Sequence, residues 1–191
     1  MDDEVAKILS RKRPYASYFH FGGDKQGTEV GATRDWLAAL YADGPDHFAS
    51  LEYRENPNDP PDVVLVDTKG ARHGVEVTEF VDGRMISAHI KNHGTDIKEY
   101  SEAEFRTLVL DRITTKAGVP FKDTTCVSKR LIIYSDEPFF ICGDGVLFLS
   151  RFTHVSQTFF DEIWFIIPPA VNISGRTPAN SHCRIYGISK R

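Results

Sequence analysis

Two acidic residues, Asp62 and Glu76, occupy positions that could bind a divalent metal ion. Asp62 precedes the apolar segment 63–66, and Glu76 lies inside the next apolar segment, 74–80. Both segments are rich in β-branched residues and a turn-like sequence separates them, so we expect an antiparallel hairpin. A carboxylate inside a central strand is costly to bury unless it is paired or coordinates a metal, and oxygen ligands suit magnesium, manganese or calcium. The pattern therefore favours a metal site, with a salt bridge from Glu76 to an Arg or Lys, or a solvated Glu76, as the alternatives.

The second segment also carries a hydroxyl group on the surface that holds the acid. Because side chains alternate along a strand, Glu76 and Thr78 share one face of the predicted sheet. In an active metal site Thr78 could hydrogen-bond a metal-bound water or a phosphate oxygen, or it could be an ordinary β-branched strand residue. Asp62 has a similar alternative, because an acid after two prolines can simply close a turn.

Composition predicts a globular protein of one domain. The chain has 191 residues, of which 41% are hydrophobic and 26% are charged, which is sufficient for a sizeable core. The N-terminus is acidic and no apolar run approaches the roughly 18 residues of a membrane span, so we expect a cytoplasmic protein without a membrane segment. The three cysteines are widely spaced and form no zinc pattern, as in proteins whose thiols are reduced.

The charge of the chain limits how it could contact nucleic acid. The formal net charge is -4, which excludes a uniformly basic binding surface. Any contact with DNA or RNA would use local basic clusters, although such clusters are also typical of ordinary solvated faces. The sequence offers three of them, at residues 7–13, 91–98 and 116–130.

The predicted elements follow the order helix, three strands, helix, strand, helix and strand. Hydrophobic periodicity, turn residues and a capping box at Ser101 and Glu104 define them. The predicted helices cover residues 24–42, 101–117 and 146–159, and the predicted strands cover residues 47–55, 63–66, 74–80, 129–135 and 161–169. A short helix at residues 1–13 and a final edge strand at residues 182–189 complete the pattern. This order argues for a mixed α/β (α+β) fold with a central mixed sheet flanked by helices.

We expect a single domain over residues 1–191. Within it, residues 1–23 form an N-terminal extension, residues 24–135 form the core, and residues 136–191 add a helix and strands that complete the sheet. The polar segment 82–98 has two interpretations, an active-site lid or a plain connection.

The chain resembles the PD-(D/E)xK nuclease-like superfamily, which has the restriction-endonuclease-like fold. The resemblance rests on the order of elements over residues 24–135, on Asp62 after a proline, and on Glu76 in the following strand. It implies an αβββαβ core and a metal-dependent nuclease that hydrolyses DNA or RNA, with Asp62 and Glu76 binding Mg²⁺ or Mn²⁺. The motif reads ExT here, because Thr78 stands where the superfamily has its catalytic lysine.

Two further site residues are implied by the same resemblance. Some members supply the lysine from the following helix, and Lys116 is similarly placed in this chain. Glu29 is similar to the acid that many members contribute from their first helix. Considered without the resemblance, Lys116 could instead interact with the C-terminal end of its helix dipole, and Glu29 could be a surface acid in the first turn of a helix.

A second hypothesis keeps the fold and removes the catalysis. The missing strand lysine and the acidic net charge are also consistent with a binding, regulatory or immunity module that contacts a protein partner. The orientation of Lys116 discriminates between the two hypotheses. Catalysis requires its ammonium within about 4–6 Å of Asp62 and Glu76, the range over which opposite charges strongly perturb each other.

Overall fold

The computed structural model describes eight segments of the chain. They are residues 25–41, 47–55, 58–81, 99–135, 145–152, 154–155, 158–167 and 184–190. The helix predicted over residues 1–13 and the segment 82–98 lie outside the described residues.

The described segments form one mixed sheet with three helices. The helices are α1 (Lys25–Leu40), α2 (Glu102–Ala117) and α3 (Gly145–Arg151), and the strands are β1 (Phe48–Tyr53), β2 (Val63–Asp67), β3 (Arg72–Glu79), β4 (Cys126–Tyr134), β5 (His154–Val155), β6 (Glu162–Ile167) and β7 (Arg184–Lys190). The strand order across the sheet is β1-β2-β3-β4-β6-β7-β5. Neighbours in β1-β2-β3 are antiparallel, whereas β3, β4 and β6 are parallel. This architecture confirms the predicted mixed α/β class. None of the described helices combines the length and apolar composition needed to cross a membrane.

Each face of the sheet carries its own apolar core. On one face, Val75 and Val77 of β3 pack with Trp36 of α1. On the other face, Phe80 packs with Phe105 of α2, because successive side chains of a strand point to opposite sides. The helices α1 and α2 therefore cover opposite faces of β3, and polar residues on either helix can approach the same end of that strand.

The predicted capping box begins α2. The Ser101 hydroxyl accepts a hydrogen bond from the Glu104 N–H at 3.3 Å, and the Glu104 carboxylate accepts one from the Ser101 N–H at 3.0 Å. Gly118 caps the other end, where its N–H donates to the Thr114 carbonyl at 3.1 Å. The sequence thus predicts this helix correctly, and Lys116 lies in its last turn.

The helix predicted over residues 146–159 is wrong beyond Arg151. There α3 ends, and the N–H of the buried Phe152 donates to the carbonyls of Phe148 and Leu149. The chain then forms β5, which pairs with β7 far along the sequence. Local periodicity cannot reveal such a long-range pairing. The final strand exists as predicted, but its predicted place at the edge of the sheet is wrong, because β7 lies between β6 and β5.

Gly74 provides a test of the packing between β3 and the connection that leads into β4. A Cβ atom at Gly74 would lie 2.3 Å from Cε2 of the buried Phe121 ring. We expect Gly74→Ala to lower the free energy of unfolding in urea by about 1–3 kcal/mol, the usual cost of overpacking a core. Gly118→Ala is the control, because its Cβ would meet the Thr115 carbonyl oxygen at 3.4 Å, an ordinary contact. Equal effects of the two substitutions would contradict this packing.

Candidate metal centre

Asp62 directly precedes β2 in the sequence. At this end of the hairpin β3 extends beyond the last residue of β2 with which it pairs. Val63 pairs with Val75 in the hairpin, and the N–H of Val77 donates to Asp62 Oδ2 at 2.8 Å. The Asp62 side chain is only 2% exposed. The Asp62 carboxylate thus accepts a hydrogen bond that a backbone carbonyl would accept in a continuing pair of strands. This hydrogen bond holds the carboxylate close to Glu76 at the end of the hairpin, where the sequence predicts it.

Glu76 lies in β3 and contacts the last turn of α2. Its Oε1 atom is 2.6 Å from the Lys116 ammonium, whereas its Oε2 atom is buried and has no hydrogen-bond partner in the part of the chain that the structure describes. The Glu76 side chain is 8% exposed and that of Lys116 is 30% exposed. The orientation of Lys116 therefore meets the criterion derived from the sequence with respect to Glu76, and the Lys116 charge also acts to lower the pKa of Asp62.

Asp59 and Lys25 are two members of the cluster that sequence reasoning missed. Asp59, Asp62 and Glu76 each offer one carboxylate oxygen, and these three atoms all lie within 4.8 Å of one another. The Lys25 ammonium is 2.9 Å from Asp59 Oδ2 and 3.5 Å from Asp62 Oδ1. The available signals were the position of Asp59 two prolines before Asp62, and the spacing of Lys25 four residues before Glu29 on a helix.

Glu29 joins the same cluster from α1. Its Oε1 atom lies 3.4 Å from the Lys25 ammonium, and its Oε2 atom is buried and accepts no hydrogen bond from any described residue. Thr78 is buried on the same face of β3 as Glu76, but within the described residues it forms no hydrogen bond with the clustered acids. The structure thus gathers Asp62, Glu76, Lys116 and Glu29 in one cluster, and the catalytic or metal-binding role of all five predicted residues stays a prediction.

Burial and mutual repulsion govern the protonation of these acids. Burial, reinforced by the Asp62 charge, raises the pKa of Glu76 to about 7, although Lys116 acts in the opposite direction. The same two causes raise the pKa of Glu29 to about 8. Burial also raises the pKa of Asp62 despite the hydrogen bond from Val77. Burial acts to raise the pKa of Asp59, but the hydrogen bond and the charge of Lys25, together with smaller contributions from Asp62 and Lys116, outweigh burial and lower this pKa.

The cluster has the donor set and the charge of a cation site. Four carboxylates and two ammonium groups leave two negative charges in excess when all are ionised. Buried carboxylate oxygens that lack a partner, at Glu29 and Glu76, are costly unless a cation or a proton satisfies them. Asp59, Asp62 and Glu76 could therefore hold a metal ion, and their all-oxygen donor set suits a hard divalent cation.

Comparisons with known proteins do not assign this site. A scan against protein-family models, a search of curated proteins and a search of solved structures each returned no match. The interpretation of the site therefore depends on its own geometry and charge.

The raised pKa values predict how the metal-free protein responds to pH. The native state retains protons on Glu29 and Glu76 that the unfolded chain has already released, so the free energy of unfolding should fall as pH rises from about 5 to about 8. Glu76→Gln and Glu29→Gln should each flatten this decline in urea unfolding experiments without metal. Glu99→Gln, which alters an exposed acid, should leave the decline unchanged. Identical pH profiles for all four proteins would refute the electrostatic description.

Proposed function

We propose that this protein is a metal-dependent phosphodiesterase that cleaves DNA or RNA, with Asp62 and Glu76 holding Mg²⁺ or Mn²⁺ and Asp59 as a third ligand. The observation that carries the proposal is the position of Lys116. Its ammonium lies 2.6 Å from Glu76 although Thr78 stands at the usual lysine position. An acid pair with a lysine beside it is the arrangement that the resemblance to PD-(D/E)xK nucleases implies.

A lysine can act from a helix as well as from a strand. Its ammonium is a compact charge on a flexible stem, so its effect depends on where the charge is delivered. The apolar residues Phe105, Val109 and Ile113 anchor α2 on the sheet, and Lys116 follows Ile113 by three residues on the same side of the helix. Packing of α2 therefore positions the ammonium beside Glu76.

The acids and the lysine would divide the chemistry between them. Asp59, Asp62 and Glu76 would hold the cation, and a bound divalent ion polarises a scissile phosphate and favours ionisation of the attacking water. Lys116 would place a positive charge where negative charge develops on the phosphoryl oxygens. Because Glu76 is buried and paired with Lys116, the acid also keeps the ammonium in place before substrate binds.

The buried position of the acids is consistent with catalysis. Carboxylates with raised pKa values in a partly buried site are costly to the folded protein, and such costs are concentrated at functional sites. A cation at this position would satisfy the unpartnered Glu76 oxygen and counter the repulsion between Glu76 and Asp62. The site thus has a physical reason to bind metal, independent of the identity of the substrate.

Substitution of the acids should separate metal-dependent cleavage from folding. We expect Asp62→Asn and Glu76→Gln each to reduce cleavage by about 10³-fold or more, because losing a ligand removes several kcal/mol of charge stabilisation. Labelled single-stranded and double-stranded DNA and RNA, incubated with Mg²⁺ or Mn²⁺, provide the assay. Circular dichroism should confirm that both variants are folded. Unchanged cleavage by both would exclude this site as the active centre.

Replacing Lys116 tests the observation that carries the proposal. Lys116→Met should reduce cleavage by about 10²-fold, as removal of a single stabilising group typically does, while Mn²⁺ still binds. Lys69→Met is the matched control, because Lys69 is an exposed lysine in the turn at the other end of the β2-β3 hairpin. If Lys116→Met cleaves as well as Lys69→Met, the ammonium has no catalytic role. Metal binding without cleavage of any substrate by the wild-type protein would instead indicate a binding module.

A further inference from the structure

Lys25 occupies a cation position formed by three different acids. Its ammonium lies 2.9 Å from Asp59 Oδ2, 3.4 Å from Glu29 Oε1 and 3.5 Å from Asp62 Oδ1. The contact with Asp59 is a hydrogen bond, and the contacts with Glu29 and Asp62 are longer ion pairs to the same ammonium. Although 60% of the Lys25 side chain is exposed, its charged end is held between buried acids.

This position is distinct from the one beside Glu76. Glu76 and Lys116 lie on one side of Asp62 and come from β3 and α2, whereas Lys25 and Glu29 come from α1, which covers the opposite face of the sheet. Asp62 contributes to both positions, because its charge acts on Glu29 as well as on Glu76. The cluster therefore contains two adjacent places for a cation, which share Asp59 and Asp62.

One oxygen of the acids around Lys25 remains unsatisfied. Glu29 Oε2 is buried and accepts no hydrogen bond from the described residues, and only a protonated Glu29 can share a hydrogen bond with Asp62; the Glu29 side chain is 9% exposed. Lys25 supplies a single positive charge to three carboxylates, so it compensates their charge only in part. A divalent ion at the same place would compensate more of it, and the oxygen donors are suited to such an ion.

We propose that the Lys25 ammonium occupies a second metal position. The wild-type centre then binds one divalent ion, and removal of the Lys25 charge opens a site for a second ion. The second site would consist of Glu29, Asp59 and Asp62. This inference rests on the metal centre of the proposed function. It specifies how many ions the centre binds, and it names Lys25 as the residue that limits that number.

The charges of the cluster support a limit of one ion. With all groups ionised, the four acids and two lysines carry two negative charges, which one divalent ion neutralises. A second divalent ion would have to enter a neutral cluster and displace an ammonium that already has three carboxylate contacts. Without the Lys25 charge, one ion held by Asp59, Asp62 and Glu76 leaves the cluster with one negative charge and leaves Glu29 without its paired cation, so a second ion becomes favourable.

The number of bound Mn²⁺ ions tests this inference directly. Titrations at about pH 8.5, where Glu29 and Glu76 are largely ionised, can be followed by calorimetry and by the electron paramagnetic resonance signal of free Mn²⁺. We expect one ion for the wild type and two for Lys25→Met and for Lys25→Gln, the second binding more weakly. Lys25→Arg, which keeps the charge, and Lys69→Met, which removes a distant exposed lysine, should bind one.

A double substitution identifies the ligands of the second ion. Glu29→Gln in the Lys25→Met background should return the count to one, because it removes a ligand of the second site and leaves Asp59, Asp62 and Glu76 in place. Two ions in the wild type, none in the wild type, or one ion in both Lys25→Met and Lys25→Gln would overturn the inference.

The Mn²⁺ count also separates this inference from the proposed function. It uses metal alone, so a wild-type protein that binds one ion but cleaves no nucleic acid would refute the phosphodiesterase and leave the role of Lys25 intact. Conversely, wild-type cleavage together with a single ion in both neutral Lys25 variants would refute the role of Lys25 and leave the phosphodiesterase intact.

Discussion

The hydrogen bond from the Val77 N–H to the Asp62 carboxylate determines the geometry of the whole site. Because Asp62 is the acceptor, its buried charge has a fixed partner at 2.8 Å and lies beside Glu76. The loop that carries Asp59 and Asp62 is held on both sides as well. The Asp62 carbonyl accepts from the Arg54 N–H at 2.9 Å, and the Pro60 carbonyl accepts from the Lys122 N–H at 2.8 Å. Backbone hydrogen bonds therefore help to bring the acids together.

Two helices complete the site from opposite sides of the sheet. The core around Trp36 fixes α1 and thereby places Lys25 and Glu29, while the core around Phe105 fixes α2 and thereby places Lys116. Each apolar contact lies one or more helical turns from the charged residue that it positions. The concentrated negative charge opposes folding of the metal-free protein, and the two apolar cores must offset it. A metal ion that binds only the native state would add stability by mass action.

Local sequence patterns predicted the parts of the structure that local interactions form. The hairpin that pairs Val63 with Val75 follows from β-branched segments around a turn, and α2 follows from its capping box and apolar stripe. Asp62 and Glu76 could be predicted as neighbours because the hairpin fixes their separation. Placing Lys116 beside them required the resemblance to a family, since its contact with Glu76 joins a helix to a strand forty residues away.

The misses share a physical cause. Asp59 is part of a proline-rich turn whose shape periodicity does not describe, and Lys25 becomes meaningful only when α1 packs against that turn. The segment after Arg151 has apolar residues at helical spacing, yet it leaves the helix to pair with β7. In each case a contact between distant segments of the chain determines the outcome, and the sequence of one segment alone does not contain that information.

The most direct test of the metal centre is a crystal structure of the wild-type protein grown with Mn²⁺, with anomalous diffraction data to locate the ion. We expect an anomalous peak within coordination distance of Asp59, Asp62 and Glu76, with Lys116 still adjacent to Glu76. The crystals would be grown at a Mn²⁺ concentration that saturates the protein in solution. If the three acids are then ordered and the anomalous map is empty between them, these acids do not form the metal centre.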